Sequence, residues 1–209
     1  MRATPSHRAE MVNQLLRGDT VEILAHEGEF YRVRSLYDGY EGWVSDLQLD
    51  FTENPESPEG PENPEGPENP ESPENPESPE DSGGQDPVEM VESFIGAPYL
   101  WGGRTRMGID CSGLMQVAFK RCGIWLPRDA SQQAECGEAV TFRQLRRGDL
   151  AFFGNAEGRI VHVGVATGDG HIVHSSGEVR RDSLDEKGIF NSQRDKYTHT
   201  LARIRRIIK

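Results

Sequence analysis

From Asn54 to Glu80 the chain repeats a three-residue unit nine times, each Asn, Ser or Gly followed by Pro-Glu. No such stretch can enter a packed core. Proline removes an amide donor and fixes one dihedral, the glutamates repel one another, and nothing apolar is left to bury. Three residues per turn is the period of polyproline II, so residues 53–85 are expected to be an extended, charged linker, thirty such residues reaching about 90 Å. Collagen is excluded because glycine does not occur at every third position. The tract leaves two parts of the 209-residue chain to fold, residues 1–52 and 86–209.

The same tract explains the charge. The formal net charge is -12, but eleven acidic groups and no Lys or Arg lie in residues 53–82, leaving 24 acidic against 23 basic residues elsewhere. The foldable parts are near neutral and show no continuous basic patch, so no nucleic-acid partner is expected. Three cysteines, Cys111, Cys122 and Cys136, make neither a disulfide framework nor a CxxC zinc knuckle, and they favour a reducing compartment. Met1-Arg2-Ala3-Thr4-Pro5 lacks the apolar run of a signal peptide, and no segment reaches membrane-spanning length. A cytoplasmic location is expected if Met1 is the true start, and a secreted or periplasmic one if the chain is trimmed.

Residues 10–52 read as short strands. Val21-Glu22-Ile23-Leu24 and Tyr31-Arg32-Val33-Arg34 flank a turn at Glu27-Gly28-Glu29, and a second turn at Tyr37-Asp38-Gly39 leads into Glu41-Gly42-Trp43-Val44. This predicts a small all-β barrel that buries little surface and needs a neighbour for stability. The second part opens with a helix over residues 87–95, its apolar face carrying Val88, Val91, Phe94 and Ile95, before Gly96-Ala97-Pro98. A second helix follows Asp110, with Leu114, Ala118 and Cys122 on one face and Gly123 at its end. Pro127-Arg128-Asp129 opens a short third helix holding Ser131 and Gln132. Strand patterns then cover residues 150–153, 160–166, 171–175 and 201–207. Helices first and an antiparallel sheet after them predict an α+β domain.

The chemistry concentrates on Asp110-Cys111-Ser112-Gly113-Leu114. Asp110 can cap the helix, placing the Cys111 sulfur at its positive end, where a thiolate is favoured. His162 and His174 flank the turn Gly168-Asp169-Gly170, so antiparallel pairing brings them together. Nucleophile, base and orienting group are then Cys111, His162 and His174, since a neutral imidazole can accept the hydrogen bond that holds the base. Two readings stay open beside it: zinc held by the same three side chains, and a buried helix cysteine with two histidines satisfied inside a sheet.

Several motifs carry a family resemblance. They are Pro98-Tyr99-Leu100-Trp101-Gly102-Gly103, Asp110-Cys111-Ser112-Gly113, Leu126-Pro127-Arg128, Arg147-Gly148-Asp149-Leu150, His162-Val163-Gly164-Val165 and His174-Ser175. With them, residues 86–209 resemble the NlpC/P60 cysteine peptidases of bacterial cell-wall metabolism, and the order Cys, His, His agrees. Residues 10–52 resemble the bacterial SH3-like domain attached to some members, most closely at Ala9-Glu10-Met11-Val12 and Asp38-Gly39-Tyr40-Glu41-Gly42-Trp43-Val44, with little room for a first strand before Glu10.

The resemblance implies a papain-like α+β catalytic domain behind a small SH3-like barrel, with no metal or organic cofactor. It implies hydrolysis of peptidoglycan stem peptides, commonly at the bond from the γ-carboxyl of D-glutamate to a diamino acid, in fragments with a free N-terminal L-alanine. Peptidoglycan-derived peptides are then the partners, with no nucleic acid and no obligate protein partner. Asp110, with Glu10 and Tyr40 across the domain junction, would meet the amine, and Tyr99, Ser112 and Ser131 would line the cleft. Tyr99 and the Cys111 amide would face the oxyanion. Two alternatives are a wall-binding protein that does not cut, and a thiol-dependent acyltransferase or amidase on another substrate.

Overall fold

The computed structural model describes residues 1–51 and 86–208; the Pro-Glu repeat and the linker expected over 53–85 lie outside these. Three antiparallel strands, β1 (Val21–Glu27), β2 (Phe30–Ser35) and β3 (Glu41–Ser45), form the N-terminal sheet. The turn between β1 and β2 needs Gly28 at φ 61°, a left-handed conformation that costs a side-chain-bearing residue energy. Phe30, Val33 and Val44 supply its buried core. The free edge of β3 is taken by Arg2, which exchanges backbone bonds with Trp43 (2.7 and 2.9 Å) and also bridges Met11. The segment before Glu10, which leaves little room for a strand in the sequence, thus contributes a one-residue bridge that helps close the small SH3-like barrel.

The second part opens with α1 (Pro87–Glu92), capped by the Asp86 carboxylate on the Val88 amide (2.9 Å). This helix is shorter than the predicted 87–95, and Ile95 is exposed instead of lying on the apolar face. The cause is non-local. Gly96 donates to the Val179 carbonyl (2.9 Å) and Val179 to that of Ala97 (2.8 Å), so the sheet pulls the chain out of helical register after Ser93.

A two-stranded hairpin, β4 (Arg104–Thr105) and β5 (Gly108–Ile109), leads into α2 (Cys111–Arg121), and α3 (Ala130–Gln133) follows. The remaining strands are β6 (Glu138–Ala139), β7 (Leu150–Gly154), β8 (Ile160–Ala166), β9 (His171–Ser176), β10 (Glu178–Asp185), β11 (Gly188–Asn191) and β12 (Lys196–Arg206). They form one antiparallel sheet in the order β11-β10-β9-β8-β7-β12-β6, and β11 also pairs with β12. That extra pairing curls the sheet so that β11, at one end, closes onto β12. Alternation along the strands turns Phe152, Val163, Val165 and Val173 toward Leu114, Met115 and Phe119 of α2. Ala151, Phe153, Ile172 and Ile189 fill the inside of the curl. The fold is mixed α+β, as the order of elements predicts. β10 and β11 escape the sequence patterns because Arg180, Arg181 and Asp182 interrupt the apolar alternation, although Val179, Asp182 and Leu184 are the buried positions of β10.

The two parts touch largely through part-buried polar groups. The Arg104 amide donates to Gln14 Oε1 (2.9 Å) and its guanidinium to the Gln14 carbonyl (3.0 Å) and Asp19 (3.3 Å). Gln116 on α2 donates to Asp38 (2.9 Å), and Lys120 lies 4.2 Å from the centre of the Tyr37 ring. Among the described residues no helix is long and apolar enough to cross a membrane.

Candidate active site

Asp110 adopts the extended conformation of an N-cap and accepts from the Gly113 amide (2.7 Å), which fixes Cys111 as the first residue of α2. The helix start lies so close to the preceding loop that a methyl group at Gly113 would stand 2.5 Å from the Gly103 carbonyl oxygen. Cys111 is buried, and the backbone amides of Val163 and Ser112 donate toward its sulfur. The sequence predicts a stabilised thiolate here. The structure corrects this: burial, and then the Asp110 charge, push the thiol up to about 11, outweighing those two amides. The resting sulfur is therefore protonated and needs a base.

The Val163 amide at the sulfur follows His162 in the chain, so β8 carries both His162 and the amide that meets the sulfur. In the β8–β9 register His174 pairs with Gly164, which places His162 diagonally across on the same face. Gly164 matters for what it lacks. A methyl there would lie 2.8 Å from His174 Cβ and 2.8 Å from Ile172 Cδ1. With that space clear, His162 Nε2 and His174 Nδ1 sit 2.8 Å apart, and His174 Nε2 lies 3.1 Å from Asp182 Oδ2. Arg180 holds the Asp182 carboxylate from the other side through Nε (2.8 Å) and Nη2 (3.0 Å).

This chain of bonds sets the tautomers. Burial opposes ionisation of Asp182, but the bonds from His174 and Arg180 outweigh it and hold the carboxyl down at about 2. An ionised carboxylate only accepts, so His174 Nε2 donates to it, and in the neutral tautomer of that ring Nδ1 is the acceptor. His162 Nε2 must then carry the proton it donates to His174, leaving Nδ1 of His162 unprotonated. Burial, followed by His174 and His199, keeps the His162 ring neutral well below the usual histidine range. His199 on β12 stacks on His162 at 4.2 Å and 23°, and burial and then His174 lower it to about 4.

His162, His174 and His199 bring ligating nitrogens within 4.8 Å of one another. Cys111 is not among them, so this differs from the zinc set weighed in the sequence. Two of these nitrogens already bond each other, and the stacked His162 and His199 rings hold their lone pairs in separate, nearly parallel planes. The arrangement suits proton transfer better than tetrahedral ligation.

The other predicted residues fall into two groups. Tyr99 is half-buried beside the sulfur, its phenol raised by burial and then by the Cys111 and Asp110 charges, and it lines a cavity of about 310 Å³ with His162, Ser176 and His199. Ser112 is buried and accepts from Arg128 (3.0 Å). Both Asp110 oxygens are engaged, by the amides of Gly102 (2.8 Å) and Gly113 and by the two ends of the Arg128 guanidinium. Tyr40 is partly buried and feels burial first, then the charges of Asp129, Arg128 and Asp110, which places it at the junction. Ser131 and Glu10 are exposed. Arg128, Asp182 and His199 carry no role in the sequence reading. A turn at Gly177 followed by period-two spacing would have placed Asp182 on the His174 face, and the Arg128 Nε bond to Asn13 (2.9 Å) depends on a contact between distant segments.

Comparison with known proteins places both parts of the chain. The NlpC/P60 family matches residues 96–198, and the bacterial dipeptidyl-peptidase Sh3 domain matches residues 1–49. A gamma-D-glutamyl-L-lysine dipeptidyl-peptidase of Bacillus subtilis is 44% identical over 93 residues, covering 44% of this chain and 31% of that protein. The probable endopeptidase NlpC of Escherichia coli is 39% identical over 101 residues, 46% of this chain and 66% of its own. A crystal structure of an NlpC/P60 family protein from Bacillus cereus superposes with a TM-score of 0.55 at 25% identity, covering 100% of this chain and 60% of that one. The chain spans less than a third of the length of the first curated relatives it matches, 31% and 28%.

Proposed function

The chain belongs to the NlpC/P60 family, with an SH3-like domain ahead of the peptidase fold, and from that premise we propose that it is a cysteine endopeptidase cleaving peptidoglycan stem peptides at the bond between the γ-carboxyl of D-glutamate and a diamino acid, in fragments with a free N-terminal L-alanine. The observation that carries the proposal is the Asp182–His174–His162 chain of hydrogen bonds, which leaves a bare nitrogen on the strand that also donates an amide to the Cys111 sulfur.

The roles follow from that polarity. As the sulfur attacks the carbonyl carbon, the thiol proton passes to His162 Nδ1 and the carbonyl oxygen takes the negative charge. The Cys111 amide and the Tyr99 hydroxyl are the donors for that oxygen. Collapse breaks the C–N bond, and the leaving amine departs with the proton held by His162. Water then attacks the thioester while His162 takes one of its protons, and the proton returns to sulfur as the acid leaves. His174 holds the ring of His162, and Asp182 holds His174.

The substrate class is supported by the B. subtilis relative, whose name specifies the γ-D-glutamyl-L-lysine bond. The preference for short fragments is supported by the N-terminal domain, which meets the catalytic part beside Asp110 through Asn13 and Arg128. Because Asp110 is already saturated, the amine of the substrate falls to Glu10 and Tyr40, with Ser131 and Ser112 along the cleft. Mass spectrometry of L-Ala-γ-D-Glu-L-Lys incubated with wild type and with Cys111→Ala tests the reading. Two fragments with wild type alone support it, and an intact peptide in both samples, for this tripeptide and its diaminopimelate counterpart alike, refutes it.

A further inference from the structure

Next to the histidines lies a second cavity of about 400 Å³, formed where β10, β11 and β12 curl together, and the mechanism makes no use of it. His199, Ser176 and Gly177 line both this cavity and the one containing Tyr99 and His162, so the two adjoin beside His162. The far side is cationic. Arg180, Arg194 and Lys196 face a single carboxylate, Asp182, which Arg180 and His174 already bind. Arg194 and Lys196 enter no ion pair among the described residues, and Asp195 between them does not line the cavity. Asp110, Arg128 and the N-terminal domain sit at the start of α2, while this pocket sits beyond His174 and Asp182. In the reading proposed above, the acyl side of the peptide lies at the first end, which leaves the second for the leaving group.

We propose that this pocket is a carboxylate-binding subsite for the leaving amino acid, with Arg194 and Lys196 as its specificity-determining residues. The inference rests on the peptidase reading above and deepens it. A charge-assisted bond to a carboxylate held near His199 would select leaving groups that carry a free acid over those that carry an amide or only an amine. That acid can be the α-carboxylate of a C-terminal residue or the second carboxylate of a diaminopimelate-type side chain.

The test uses the full chain and three peptides, L-Ala-γ-D-Glu-L-Lys, its C-terminal carboxamide, and the diaminopimelate peptide carrying an α-carboxamide. Wild type is expected to favour the first over the second by about tenfold in kcat/KM, and Arg194→Gln/Lys196→Gln to bring the ratio within about threefold. If the third peptide equals the first, the side-chain acid serves as well; if it matches the second, only the α-carboxylate is read. Calorimetric binding of the same peptides to Cys111→Ala judges the subsite without turnover. An acid-to-amide preference that is absent, or unchanged by the double substitution on the Cys111→Ala background, overturns the proposal. Failure of wild type to cleave any peptide instead removes the peptidase reading, while the binding data still decide the subsite.

Discussion

Asp182 never reaches the reacting atoms, yet the direction of every proton in the site depends on its charge. Replacing it by Asn would let the residue donate as well as accept, and His174 could then present a protonated Nδ1 to His162. The expected result for Asp182→Asn is a loss in kcat of at least about a hundredfold, with little change in KM and a retained circular-dichroism spectrum. A kcat within a few-fold of wild type would show that the tautomer is set elsewhere. The neutral histidines have a second consequence. His162 and His199 are lowered from 6.5, so below that pH the unfolded chain binds protons that the folded one does not, and stability rises with pH across the interval. Melting temperature should therefore fall as pH drops from about 6.5 toward 4, and His199→Gln should flatten part of that slope. Asp182 acts at lower pH: its stabilisation is complete above 3.8 and is lost as pH falls through about 2. Thermal melts across this range check both.

At the level of elements, the β8–β9 pair converts sequence alternation into the 2.8 Å contact between His162 and His174. His162 and His174 were readable from it because the turn at Gly168-Asp169-Gly170 fixes the register and alternation fixes the face. Gly164 shows how narrow the tolerance is. Gly164→Ala would put its methyl 2.8 Å from His174 Cβ, so His174 must move or the strands must part. Overpacking of this kind costs about 1–3 kcal/mol, and activity should fall more steeply than stability because the His162–His174 bond breaks first. Denaturant titration beside kcat separates the two; equal losses would mean simple unfolding. The helix elements were legible for similar reasons, through Asp110 as cap and Leu114 and Ala118 as the buried stripe. Residues 93–95 were not, because a bond from the sheet to Gly96 ends α1 where local periodicity would carry it on to Ile95.

For the whole molecule, the N-terminal barrel is held to the peptidase part by buried groups that neither part satisfies alone. Arg128 is nearly inaccessible and shares its guanidinium among Asn13, Asp110 and Ser112. Under the proposed function, that coupling would make substrate length a property of both parts together. Acetylating the N-terminus of the tripeptide should lower kcat/KM by about tenfold or more, since it removes the charge an acceptor pocket needs. Glu10→Gln should lose most of that discrimination while the acetylated peptide is cleaved at a similar rate. Discrimination that survives intact in Glu10→Gln would place the amine elsewhere.

Local chemistry wrote part of this protein directly into the chain. A capping aspartate before a cysteine, a pair of histidines spaced across a glycine turn, and an α-then-β order of elements depend on residues close in sequence, where period and backbone conformation decide the outcome. The rest required the chain to close on itself. Curling the sheet through the β11–β12 pairing set His199 on His162, the β9–β10 hairpin delivered Asp182, and contact between the two parts paired Arg128 with Asn13. The protonation of Cys111 belongs to this second class, because desolvation is a property of the surfaces that surround a group and not of its neighbours in the chain.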